Sequence, residues 1–127
     1  MPDRHKILLV DDSEISLHFV AGVLEKAGFE VRGTDDVDNL GGVLGGWRPD
    51  VILTDVNMPN VSGVELCRLL KSRYETAHVP VVLFSSMSHD ELEQLARECE
   101  ADGFLSKAGG LERLPEELRL LIETTLF

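Results

Sequence analysis

The chain has 127 residues, 43% hydrophobic and 28% charged, which is enough for one full core and too little for two domains. Its formal net charge of −11 excludes the clustered Lys and Arg surface that phosphate backbones require, so no direct nucleic acid binding is expected. No apolar run approaches a signal peptide or a membrane span, and neither the two cysteines, Cys67 and Cys99, nor the four histidines have metal-ligand spacing, which gives the expectation of a cytoplasmic protein with packed thiols.

In chain order, Ile7–Val10 reads as a fully buried strand that ends on Asp11-Asp12. Ser13–Ala27 has helical periodicity, with Ser16, Phe19, Val20, Val23, Leu24 and Ala27 on one face, and Gly28 is placed to end it. Phe29–Thr34 reads as a second strand, and Asp36–Gly46 as a helix diluted by Gly41-Gly42 and Gly45-Gly46, each costing about 1 kcal/mol relative to Ala. Val51–Leu53 is a buried strand closing on Asp55, followed by the turn Asn57-Met-Pro-Asn60. The pattern then predicts a helix over Ser62–Tyr74, a strand over Val81–Phe84 ending on Ser85-Ser86, and a helix from Ser88 to about Cys99. That helix opens with the capping box Ser88-x-x-Glu91. Ala101–Leu105 reads as the fifth strand, ending on Ser106-Lys107. A last helix follows, with Pro115 in its first turn and Leu118, Leu121 and Ile122 buried.

Five strands alternating with five helices predict an α/β fold: a single domain over residues 1–127, built on a doubly wound parallel sheet in the flavodoxin-like order 2-1-3-4-5. Ligands of such sheets bind past the carboxyl ends of the strands, where strand order reverses. Asp11 and Asp12 follow the first strand, Asp55 closes the third, Ser85 follows the fourth and Lys107 the fifth. Alone, each is more often a turn residue, a cap or a solvated charge. Together they place three carboxylates in one crevice, which a hard divalent cation such as Mg²⁺ would neutralise. A cation, an ammonium and a hydroxyl around one carboxylate nucleophile suit phosphoryl transfer.

The set Asp11-Asp12, Asp55 with Met58-Pro59 and Gly63, Ser85, Phe104 and Lys107 resembles the receiver domain of two-component response regulators, in particular stand-alone chemotaxis-type receivers, over essentially the whole chain. The resemblance implies that Asp55 accepts a phosphoryl group from a histidine kinase or phosphotransfer protein. It implies Mg²⁺ on Asp12, Asp55 and the backbone carbonyl of Asn57, with Asp11 acting through water, and Lys107 and Ser85 on the acyl phosphate. It also makes Ser85 and Phe104 the switch pair that signals a partner through the face of the fourth helix, fifth strand and fifth helix. Ile15 and Leu17, placed off the buried stripe of the first helix, are the expected kinase-docking pair.

The family's proline after the lysine is Ala108 here, which leaves the geometry of the following bond open, since a cis bond before a non-proline costs about 3–4 kcal/mol. The start at Met1 and the stop after the last helix give the expectation of a stand-alone receiver without enzymatic activity beyond its own phosphorylation and slow dephosphorylation. A fragment of a multidomain regulator is the alternative. A haloacid dehalogenase-like phosphatase would need an Asp two residues after its nucleophile, where this chain has Asn57 or Ser13. An FMN binder would need a Ser, Thr and Gly-rich first loop instead of Asp11-Asp12-Ser13-Glu14.

Overall fold

The computed structural model describes residues 5–35, 46–56, 63–72, 77–107 and 110–126. Five strands, β1 (Lys6–Val10), β2 (Glu30–Thr34), β3 (Val51–Asp55), β4 (Val81–Ser85) and β5 (Gly103–Ser106), form one parallel sheet in the order β2-β1-β3-β4-β5. Four α-helices are described: α1 (Glu14–Lys26), α2 (Gly63–Ser72), α3 (His89–Cys99) and α4 (Leu114–Leu121). A 3-10 turn, Leu111–Arg113, leads into α4, and a π-helical stretch, Ile122–Leu126, follows it. The expected second helix, Asp36–Gly46, lies outside the described residues except for Gly46, so the expected third, fourth and fifth helices are α2, α3 and α4 here.

Period-two alternation divides the strands between two core layers. Ile7, Leu9, Val51, Leu53, Val82 and Phe84 face α1 and α4, whose Val20, Leu24, Leu114 and Leu118 complete that layer. Leu8, Val10, Ile52, Val81 and Leu83 face the other way, against Cys67 and Leu70 of α2 and Leu92, Ala96 and Cys99 of α3. Almost every one of these side chains is fully buried, each contributing about 1.5–3 kcal/mol for the larger aliphatics. Burial pushes the Cys67 thiol up to about 12, and the neighbouring Cys99 thiol adds to that.

Local signals set the ends. Ser13 caps α1, its Oγ accepting from Ser16 N–H at 3.2 Å. Gly28 leaves the helix at φ 101, a conformation that favours glycine. Ser88 Oγ accepts from Glu91 N–H at 3.3 Å, the N-cap half of the predicted capping box, and donates to the Glu91 carboxylate at 2.9 Å, so Glu91 reaches back to the hydroxyl of Ser88. Pro115 lies in the first turn of α4. β5 begins later than predicted because Asp102 is a clamp instead of a strand residue. Its carboxylate accepts from Val81 N–H at 2.8 Å and pairs with Lys71, while its own N–H donates to Val81 O. Asp50 does the same for β1, accepting from Lys6 N–H at 2.7 Å.

The buried stripe of α1 is turned by one position from the expected one. Leu17, Val20, Ala21 and Leu24 face the core at i, i+3, i+4 and i+7, while Phe19 is 61% exposed. Leu17 therefore packs inward, so closely against β2 that a Cβ on Gly33 would lie 3.2 Å from its Cδ2. Ile15 is 82% exposed.

Candidate functional site

β1 and β3 are neighbours with Val10 opposite Thr54, so the residues after each come side by side at the carboxyl edge. The carboxylates of Asp11, Asp12 and Asp55 have ligand oxygens all within 4.8 Å of one another. Their environments differ: Asp11 is buried, Asp12 exposed and Asp55 half-buried. Asp11 is fixed by its surroundings. Its Oδ1 accepts from Ser13 N–H at 3.0 Å and its Oδ2 from the Ser16 hydroxyl at 2.7 Å. Lys107, just past β5, brings Nζ to 3.9 Å from the same Oδ2 and to 4.8 Å from the Phe84 ring centroid. An all-oxygen donor set with no His or Cys suits a hard divalent cation.

Ser85 ends β4 opposite Ser106. It is buried, and its Oγ accepts from Met87 N–H at 3.2 Å. Ser106 donates from its own Oγ to the Met87 carbonyl at 3.2 Å. The turn between β4 and α3 is thus gripped on both sides of one residue, Met87. Phe104, two residues earlier on β5, is half-buried and meets the His89 ring edge-on with centroids 4.9 Å apart. Beside them a groove of about 700 Å³ opens between α3, β5 and α4, with Leu120 and Leu121 on its far wall.

The sequence-predicted Asp11, Asp12, Asp55, Ser85 and Lys107 thus gather at one edge of the sheet, with Phe104 alongside. Asn57 and Ala108 lie outside the described residues. Ser16 and Ser106 were not foreseen. Ser16 was assigned to the buried stripe of the first helix, although a first-turn serine four positions beyond an acidic pair is placed to reach back to it. A second cluster, His89, Asp90 and Glu93, also has ligand atoms within 4.8 Å. There Glu93 is held by Arg97 at 2.8 Å and His89 lies on Phe104, a solvated helix terminus.

Residues 7–119 match the family model of the response regulator receiver domain. Among curated proteins, chemotaxis protein CheV2 of Helicobacter pylori is 48% identical over 62 residues, covering 49% of this chain and 20% of that protein. The phosphate regulon transcriptional regulatory protein PhoB of Pseudomonas aeruginosa is 29% identical over 119 residues, covering 94% of this chain and 52% of its own length. The chain therefore spans about a fifth and about half of these two relatives. Polar-differentiation response regulator DivK of Brucella anthropi is 27% identical over 114 residues, 89% of this chain and 92% of that one. Among solved structures, chemotaxis protein CheY4 of Vibrio cholerae superposes with a TM-score of 0.80 at 29% identity, covering 93% of this chain and 98% of its own. Since that family model covers residues 7–119 of the 127, the chain belongs to the response regulator receiver domain family.

Proposed function

We propose that this chain is a phosphorylation-switched signalling module whose Asp55 carboxylate takes a phosphoryl group from a phosphohistidine of a kinase or phosphotransfer protein. The N–P bond breaks, an O–P bond to Asp55 forms, and the imidazole leaves. The observation that carries this is the meeting of Asp11, Asp12 and Asp55 within 4.8 Å, with Lys107 Nζ 3.9 Å from Asp11. Asp12 and Asp55, the two more accessible carboxylates, would hold Mg²⁺ together with the Asn57 carbonyl, and Asp11 would act through water. Bound there, the cation would neutralise charge on the transferring group. Lys107 would pair with a phosphoryl oxygen and Ser85 would donate its hydroxyl to another.

Ser85 Oγ accepts from Met87 N–H and keeps its own proton to donate; drawing the hydroxyl toward the phosphoryl group would lengthen the bond from Met87, loosen the turn before α3 and let Phe104 take another position. The groove between α3, β5 and α4 changes with it, and that face is the proposed output surface toward a downstream protein. On the input side, Ile15 stays a docking candidate and Phe19, one turn on and also exposed, replaces Leu17 as its companion. Slow loss of the phosphoryl group to water would reset the switch.

The test is titration with Mg²⁺ and beryllofluoride, followed by amide NMR. Saturable shifts at Asp55 that spread to Met87, Phe104 and α3, and that vanish in Asp55→Asn, are expected. An unaltered spectrum in the wild type overturns the proposal.

A further inference from the structure

Asp11 is a buried carboxylate whose charge is satisfied without a direct hydrogen bond from the nearest ammonium. Oδ1 has the Ser13 N–H and Oδ2 has the Ser16 hydroxyl at 2.7 Å, whereas Lys107 Nζ stands 3.9 Å from Oδ2, beyond hydrogen-bond distance. The ammonium is steadied instead by the charge of Asp11 and by the Phe84 ring at 4.8 Å. Ser16 and Lys107 thus address one oxygen, and Ser16 holds the nearer place. We infer that Ser16 is a positioning residue: its hydroxyl occupies Asp11 Oδ2 so that Lys107 stays loosely paired and free to swing to a phosphoryl group on Asp55.

The alternative arrangement is easy to specify. Without the Ser16 hydroxyl, a buried carboxylate oxygen is short of a donor, and leaving it so is costly. Lys107 is the cation within reach, and its long stem allows Nζ to close the gap. A direct ammonium–carboxylate bond would then have to break before Lys107 could serve the acyl phosphate, so the hydroxyl acts on the phosphorylated state through the lysine. The site of action rests on the phosphoacceptor reading above, while the hold on Lys107 exists without it.

The experiment compares wild type, Ser16→Ala and Ser16→Thr. Position 16 is a half-buried helical site where Ala is a strong helix former, so the variants fold. The first readout uses metal-free protein: the rate at which an N-hydroxysuccinimide acetate reagent acetylates Lys107, followed by mass spectrometry. The second is the affinity for beryllofluoride at saturating Mg²⁺. In Ser16→Ala, acetylation of Lys107 slows and beryllofluoride affinity falls, each by about fivefold, as expected for one hydrogen bond gained by Lys107 in the resting state. Affinity for Mg²⁺ alone changes much less, and Ser16→Thr restores both values. An unchanged acetylation rate in Ser16→Ala overturns the inference, as does a loss that Ser16→Thr fails to restore. Slowed acetylation in a protein whose wild type ignores beryllofluoride supports the hold of Ser16 on Lys107 and overturns the phosphoacceptor reading alone.

Discussion

Ser85 and Ser106 show how little chemistry separates a resting turn from a mobile one. One accepts from the N–H of Met87 and the other donates to its carbonyl, both at 3.2 Å. A net hydrogen bond of this kind contributes about 1 kcal/mol, so neither serine alone pins the turn and both together do. Ser106→Ala should therefore speed exchange of the Met87 amide about fivefold without altering the Mg²⁺ affinity of the carboxylates. Hydrogen exchange by NMR checks this. The five polar residues at the strand ends were legible because a strand that stops on an Asp, Ser or Lys declares which edge the side chain serves. Ser16 and Ser106 were not: Ser16 reaches back five residues to the carboxylate directly past β1, a local spacing that apolar periodicity does not register, and the Ser106 partner is a backbone carbonyl across the sheet, fixed only by the fold.

Among the elements, α1 shows the limit of reading a helix by its apolar residues alone. It has more of them than one face can bury, and sequence periodicity does not choose between adjacent stripes. The sheet decides: Leu17 fits over Gly33, where there is no side chain to displace it, and Phe19 is left outside. Ile15 and Phe19 then make an apolar i, i+4 pair beside the acidic edge. Replacing both with Ala should slow phosphotransfer from a kinase by roughly tenfold or more, on the scale of two partly buried contacts, while beryllofluoride binding holds. Stopped-flow phosphotransfer and a beryllofluoride titration on the same variant separate the two. Where the sequence carried explicit caps, as in Ser88-x-x-Glu91 and Pro115, helix starts were predictable to within a residue. β5 shifted because Asp102 spends its side chain on Val81 and Lys71, a long-range use that no local pattern reveals.

For the molecule as a whole, five strands alternating with helices foretold a sheet covered on both sides, and the order 2-1-3-4-5 that goes with that fold class put the acidic residues in one crevice. The layer against α2 and α3 contains a titratable surprise. Burial holds the Cys67 thiol at about 12, above its ordinary 9.0. Below pH 9 the thiol is protonated both folded and unfolded, so its contribution is fully present. Above that the unfolded chain releases the proton first, and stability falls as pH rises toward 12. Urea midpoints should drop over this window in the wild type and drop less in Cys67→Ala, whose midpoint starts lower because of the cavity. The same burial predicts that neither thiol reacts with a disulfide reagent until the protein unfolds.

The two edges of the sheet put one residue type to opposite uses. Asp50 and Asp102 secure the openings of β1 and β4, while Asp11, Asp12 and Asp55 crowd together at the far ends. In a scan of Asp→Ala substitutions, positions 50 and 102 should lose about 1 kcal/mol of stability each and keep their affinity for beryllofluoride. Position 12 should do the reverse, with metal-free protein melting higher once like charges are thinned and the ligand lost. Thermal melts and titrations on the same three variants check this. A screen that selects for thermostability alone would enrich for molecules deaf to their own signal, and the direction of each carboxylate along its strand tells in advance which ones they are.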